Sequence, residues 1–322
     1  MRILFDNVDF HSRRGPNLFG SKLASALKPR GHVVVSRAGR ADVQLAFIER
    51  TLERCAPLVL RLDGIWLNTA MDWKAANAPI ERTYREASAV VFQTEFNKVL
   101  VERHFGPAAR WIVVRNGTDH RKIGAIAPMR LAGVRPRANV WCCASSWRPN
   151  KRLSENVRYF QEHAGARDLL LIAGPNPDLD LASVKDRRIR YLGDLDYEPL
   201  LSLYRASGTF LHLAWIDSCP NVVVDARAAG CKIICSSTGG TKEVAGPAAT
   251  LIVEDEWDFQ PYNLYQPPKL DFSRTAPNPY DVDIGIETCA RGYESAFAIA
   301  LAFPGCIRAS PAVRLKSKDP DS

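Results

Sequence analysis

Apolar residues in this chain fall in short runs separated by polar, glycine- or proline-containing turns, and the stretches between the runs carry apolar positions at helical spacing. Runs at 2–5, 33–35, 43–47, 58–62, 90–92 and 112–114 read as strands, and segments near 21–27, 80–87 and 95–104 read as helices. A stretch rich in Pro, Gly and Arg, APMRLAGVRPRA at 127–138, interrupts the pattern and reads as a linker. The alternation then resumes with strands at 139–144, 169–173, 210–215, 233–235 and 250–253, helices near 153–163 and 198–205, and a small-residue helix ending near Gly230. Residues 254–283, rich in Pro and aromatics, predict an irregular surface course; 284–301 predicts a helix, and the polar end of the chain predicts disorder. Strand, helix, strand in this order predicts an α/β protein with two doubly wound parallel sheets. The boundaries expected are 1–130 for the first domain, 131–283 for the second, 284–302 for the last helix and 303–322 for a tail.

Length supports two domains, since 322 residues exceed one average domain and leave each half enough chain for its own core. A content of 46% hydrophobic and 24% charged residues is ordinary for a globular protein and excludes disordered, fibrous and repeat classes. The formal charge of +8 is compatible with an acidic partner such as nucleotide phosphates, an anionic lipid surface or nucleic acid, and equally with a solvated positive face. Among eight cysteines there is no CxxC pair and no Cys/His cluster; Cys142, Cys143 and Cys235 lie in apolar runs, and Cys231 and Cys235 have no second ligand pair. Reduced core thiols in a cytoplasmic protein, with peripheral membrane contact left open, and no metal site are therefore expected. The first residues turn polar too soon for a signal peptide, and no apolar run approaches the ~20 residues that span a bilayer.

The stretch 209–243, TFLHLAWIDSCPNVVVDARAAGCKIICSSTGGTKE, carries the chemistry. It reads strand, turn, helix, strand, turn, helix, with Pro220 at a first helical position and a second helix beginning after Thr238-Gly239-Gly240. Two helix N-termini would then face one sheet edge, where unpaired backbone N–H groups favour anions. Asp217 falls in the first turn and Asp225 in the helix after it. A carboxylate can accept hydrogen bonds from two vicinal hydroxyls, so the pair suits a nucleotide sugar whose diphosphate lies between them.

The run from Asp217 to Asp225, followed by Ala-Arg-Ala-Ala-Gly, resembles the donor-site signature of retaining glycosyltransferases of the GT-B fold, family 4 (group 1). That signature has two glutamates where this chain has two aspartates, each shorter by a methylene. Other segments resemble the family in order: the loop at 11–20, where Gly15 and Gly20 would spare bulk near the donor, Asn17 would assist, and Arg13 and Arg14 add charge; Gly31 before the second strand; and Asn116-Gly117-Thr118-Asp119, which closes the first domain. In the second domain Lys151 matches the family's diphosphate-binding lysine, while Ser146 stands where an arginine is usual and Arg148 is offset from it. Asp63 occupies the position of a histidine near the donor sugar, and the segment with Gly193 and Leu195 matches the one flanking the nucleobase.

The resemblance implies two Rossmann-like domains facing a cleft, with a C-terminal helix crossing back to the first. It implies transfer of a sugar from a UDP- or GDP-sugar with retention and without a metal or other cofactor. Ser218, Cys219, Pro220, Asn221 and Val222 would cradle the diphosphate, Lys151 and Arg148 would neutralise it, Asp225 would hold the ribose and Asp217 the sugar, and Asp63 would bind a sugar or acceptor hydroxyl. The acceptor, whether glycan, lipid-linked, protein or nucleic acid, is open. Two alternatives stand beside this reading: a GT-B epimerase or hydrolase acting on sugar nucleotides, and a non-catalytic basic protein that binds nucleotides or nucleic acid.

Overall fold

In the computed structural model, residues 1–12, 15–35, 41–132 and 138–304 are described. Arg13, Arg14, residues 133–137 of the linker and nearly all of the tail lie outside them. The apolar runs of the first half form a parallel six-stranded sheet in the order β2-β1-β3-β4-β5-β6. These strands are β1 (Arg2–Asp6), β2 (Val33–Val35), β3 (Val43–Phe47), β4 (Leu58–Leu62), β5 (Ala89–Phe92) and β6 (Trp111–Val113). Every residue of β3, β4 and β5 is buried. Such strands read as continuous apolar runs because helices cover both faces of a parallel sheet.

The second half forms a sheet in the order β13-β12-β11-β10-β7-β8-β9. It comprises β7 (Val140–Ala144), β8 (Leu169–Ala173), β9 (Ile189–Tyr191), β10 (Thr209–His212), β11 (Lys232–Ser236), β12 (Thr250–Ile252) and β13 (Thr275–Pro277). All its pairings are parallel except β12 with β13. β13 corrects the expectation that 254–283 is wholly irregular; its proline is tolerated because the strand is an edge.

The helices are α1 (Gly15–Leu27), α2 (Trp73–Glu86), α3 (Glu95–Phe105), α4 (His120–Gly124), α5 (Leu153–His163), α6 (Tyr197–Ala206), α7 (Asn221–Ala228), α8 (Thr241–Ala245) and α9 (Ile286–Ala302). α1 starts at Gly15, so the expected glycine loop is largely its first turns. Pro16 suits a first turn, where its missing N–H would have no partner. A Cβ on buried Gly20 would lie 2.8 Å from Val8 Cγ1, so this glycine serves packing rather than ligand approach. α2 runs through Pro79 instead of starting after it, held by the Asp72 cap on the Ala75 N–H (3.0 Å) and a buried face of Asn77, Ile80, Thr83 and Tyr84.

α9 buries Ile286, Cys289, Ala290, Tyr293, Ala296, Phe297 and Ala300 among residues of α1 and the first sheet, such as Phe19, Leu23 and Val91. Ile284, two residues earlier, belongs to the core of the second lobe. The two chain crossings run side by side: the Thr118 N–H donates to Ile284 O (2.9 Å) and the Ile286 N–H donates to Thr118 O (2.9 Å). Gly117 permits this approach, since a Cβ there would meet Gly285 O at 2.9 Å and Cys289 Cβ at 2.8 Å. A further tie comes from the aromatic segment before β13. Tyr262 exchanges backbone hydrogen bonds with Leu67 and Thr69 (3.0 and 3.1 Å), and Asp258 O accepts from Arg103 of α3 (3.1 Å). No helix among the described residues is long and apolar enough to cross a membrane.

Candidate active site

The loops after the carboxyl ends of strands in both sheets face each other, where ligands bind in open α/β folds. They enclose a cavity of about 400 Å³. Gly15, Asp63, Arg148, Lys151, Leu195, Asp217, Ser218, Cys219, Pro220, Asn221, Val222 and Asp225, all singled out in the sequence, line it. Asn17 and Gly193 do not. Asn17 Oδ1 accepts from the Asp9 N–H (3.0 Å), steadying the loop before α1, and Gly193 O accepts from the Gly174 N–H (2.8 Å). That bond brings the turn after β8 against the turn after β9. Gly174 is fixed by sterics: its φ is 109° and a Cβ would fall 1.9 Å from Ser145 O.

Lys151 closes a short 3-10 turn, Pro149–Lys151. Behind it Arg152, in a left-handed conformation (φ 53°), is buried and donates to Leu213 O (3.3 Å), Pro268 O (2.7 Å) and the Glu254 carboxylate (2.7 Å). Arg152 thus anchors the turn and leaves Lys151 directed into the cleft, where its Nζ is in contact with Asp217 Oδ2. The same oxygen lies 3.0 Å from Nε2 of buried His212. Burial pushes the Asp217 carboxyl up, but the Lys151 charge and the His212 hydrogen bond together outweigh it, holding the group well below the usual carboxylate range. Burial lowers the His212 pKa, only partly opposed by Asp217, so the imidazole is neutral and donates from Nε2. The side chain of Arg148, exposed on the same wall, has no hydrogen-bond or ion-pair partner among the described residues.

The turn from Asp217 into α7 packs on the Gly239-Gly240 backbone. The Gly240 N–H donates to Asp217 O (2.8 Å), and a Cβ on Gly239 would stand 2.7 Å from that oxygen. Both helix starts stand at the carboxyl edge of the second sheet, as expected, but of these two only α7 lines the cleft, and the 238–240 turn supports it from behind. Pro220 is the residue before the helix rather than its first, and it has no N–H to offer a ligand. The Val223 and Val224 N–H groups donate to Pro220 O (3.1 and 3.3 Å), which leaves those of Asn221 and Val222 without a partner within the helix. Burial pushes the Cys219 thiol up to about 12, so it is no nucleophile at neutral pH.

Contacts from the first lobe complete the site. Asn116 Nδ2 donates to Cys219 O and Asn221 Oδ1 (both 3.0 Å), and Asn221 Nδ2 donates to Gly15 O (3.1 Å). Asp63 is held by Arg61 and Gln93; Arg61 itself is buried over the rings of Phe19 and Phe47 at 4.4 and 5.0 Å. The carboxylate of buried Glu243, on α8, accepts from the Glu95 and Phe96 N–H groups at the start of α3 (3.0 and 2.9 Å) and from Arg115 (2.7 Å). Asp225 is paired with Lys22 of α1, whose Nζ lies 2.7 and 2.9 Å from its two oxygens. Sequence reasoning missed Lys22, Arg61, His212 and Glu243. Only His212 carried a signal, a histidine inside an apolar strand close to Asp217. Among the described residues no group of three or more His, Cys, Asp or Glu is placed to hold a metal ion.

Two Rossmann-like α/β lobes, a cleft between the carboxyl ends of their sheets and a last helix returning to the first lobe define the GT-B fold. Residues 138–260, less than half of the chain, match the family described as "Glycosyl transferases group 1". No curated protein matches the chain. Solved structures similar to it include sucrose-phosphate synthase from Thermosynechococcus elongatus (TM-score 0.61, 12% identity, covering 94% of this chain and 97% of that one). HepE from Anabaena, in complex with UDP and glucose, is similar at TM-score 0.56 and 14% identity, covering 94% and 93%. WaaG, a glycosyltransferase involved in lipopolysaccharide biosynthesis, is similar at TM-score 0.57 and 12% identity, again covering 94% and 93%. At these identities the likeness is one of fold.

Proposed function

We propose that this protein is a glycosyltransferase that takes a nucleotide-diphosphate sugar and transfers the sugar with retention, without a metal ion. The observation that carries this reading is the convergence of Lys151, Arg148 and the N-terminus of α7 on a cavity also lined by Asp217 and Asp225. The binding of UDP and glucose by HepE, which shares the fold, supports a UDP-sugar as donor, with a GDP-sugar as the other choice. As the bond from the anomeric carbon to the phosphate oxygen breaks, charge gathers on the leaving diphosphate. Lys151, Arg148 and the α7 N–H groups stabilise it, the work a divalent ion would otherwise perform. Asp225 holds the ribose, Asp217 and Asp63 take hydroxyls of the sugar or acceptor, and Leu195 flanks the base. No side chain attacks the anomeric carbon: the acceptor oxygen bonds to it from the face the phosphate leaves, and a phosphate oxygen takes the acceptor proton. The free thiols at all seven cysteines among the described residues support a reducing compartment, the cytoplasm.

A thermal-shift screen against nucleotide sugars tests the donor. At ~100-fold excess over the dissociation constant, the right donor stabilises the protein by about 2.7 kcal/mol. A panel in which no nucleotide sugar shifts the melting temperature refutes the reading. With donor and acceptor in hand, NMR of the product anomer tests retention, and activity that chelation with EDTA abolishes would overturn metal independence.

A further inference from the structure

Lys22 is carried on α1 of the first lobe, yet its ammonium is spent on Asp225 of α7 in the second. Its Nζ meets both carboxylate oxygens, at 2.7 and 2.9 Å, lies 5.0 Å above the ring of Tyr197, and reaches Thr118 Oγ1 at 3.5 Å. The side chains of Lys22 and Asp225 are only 12% and 4% exposed. A carboxylate this buried depends on its partners for its orientation, and the Lys22 ammonium meets both of its oxygens. Asp225 and Tyr197 line the cleft, whereas Lys22 does not, so the lysine stands behind the carboxylate rather than beside the ligand. A carboxylate has about four acceptor sites, and a lysine meeting one on each oxygen leaves capacity for two hydroxyls.

We propose that Lys22 is a positioning residue for recognition of the nucleoside ribose: it crosses from the opposite lobe to hold Asp225 aimed at the vicinal hydroxyls. The inference rests on the donor reading above and assigns ribose recognition to both lobes. Nucleotide binding then depends on the lobes being held together at α1 and α7. The tempting converse, that Lys22 occupies Asp225 and must leave before the nucleotide enters, predicts the opposite sign for the same substitution.

The test is calorimetric titration with uridine and guanosine diphosphates and their 2′,3′-dideoxy counterparts, on wild type, Lys22→Met, Lys22→Gln and Asp225→Asn. Wild type is expected to prefer the ribose form of the diphosphate it binds by at least tenfold. Both Lys22 variants are expected to bring that ratio close to one while keeping the affinity for the dideoxy form, and Lys22→Met placed on Asp225→Asn is expected to change the ratio no further. Lys22→Gln, with a neutral polar head, guards against a fold defect in Lys22→Met, and retained dideoxy affinity in either variant reports an intact site. Wild-type ribose preference preserved in both Lys22 variants overturns this inference alone, as does tighter binding of the ribose form. Equal loss of ribose and dideoxy affinity reduces Lys22 to a brace and also overturns it. No binding of either diphosphate by wild type overturns the donor reading together with the inference.

Discussion

Replacing Lys151 by Met removes the ammonium facing the cavity and keeps most of the side-chain stem. In the wild type, Asp217 is pulled down by that charge against a burial that alone would push it up. The two side chains are 13% and 15% exposed, so solvent does little to replace the lost partner. Removing one member of a largely buried pair costs on the order of 3 kcal/mol, because the other charge is left uncompensated. The sign with pH follows. The wild-type Asp217 carboxyl, held below its unfolded value of ~3.9, adds stability that is present above that pH and lost as pH falls through the lower folded value. The deficit of Lys151→Met is therefore largest near neutrality and shrinks as pH falls toward about 4, because burial no longer opposed by the Lys151 charge makes Asp217 take a proton more readily in the variant. Adding Asp217→Asn to Lys151→Met removes the stranded charge and restores most of the stability. Turnover does not return, since losing one preorganised partner of the leaving group costs roughly 10²–10³-fold in kcat. Urea unfolding between pH 4 and 8 and release of nucleoside diphosphate from the identified donor measure the two effects. A double variant no more stable than the single refutes the pairing argument, and a Lys151→Met enzyme with wild-type kcat removes the lysine from the chemistry.

Arg148→Ala is expected to leave the unfolding midpoint unchanged, since the side chain is exposed and unpaired among the described residues, and to raise the donor KM about tenfold, as expected for loss of a charge-assisted contact; steady-state kinetics at two salt concentrations checks it, and an unchanged KM places the arginine outside the site. His212 titrates in the unfolded chain near ~6.5 and lower when folded, so wild-type stability falls as pH drops below that value. In His212→Gln the slope of stability between about pH 5 and 6.5 is expected to flatten; urea midpoints across that window decide, and an unchanged slope shows that another group titrates there. Gly174→Ala, with φ at 109° and Ser145 O at 1.9 Å from its Cβ, is expected to cost 2 kcal/mol or more, on the order of a strained backbone site, and to abolish donor binding; a melting temperature like that of the wild type would refute the close approach.

The strands other than β9 and β13, and the spacing from Asp217 to Asp225, were legible because both are local. Apolar runs flanked by turn residues form strands whatever they pack on, and a helix beginning beside Pro220 puts Asp225 on its second turn. Lys151 was readable for the same reason, as a cation in a strand-to-helix turn. Element edges were less so. Pro79 and Pro16 punctuate the sequence, but buried neighbours carry α2 through the first and α1 starts just before the second. Gly20 looked like a loop glycine and is a packing glycine, because what matters there is Val8, which a sequence window does not place beside it.

Partnership across the cleft could not be read at all. Lys22 meets Asp225 across 203 positions of chain, Glu243 caps α3 across 148, and Asn116 holds Cys219 across 103. Nothing in the local pattern distinguishes those lysines, glutamates and asparagines from solvated ones. By itself, then, the sequence determined two α/β lobes, their strand order along the chain and the residues at the carboxyl ends of the strands, since these follow from hydrophobic period and turn chemistry. Only the tertiary structure decided which charges are already paired and which remain for a ligand. That depends on the approach of two lobes whose contacting residues are far apart in the chain, and burial at that junction turns an ordinary ion pair into one that sets the state of the site.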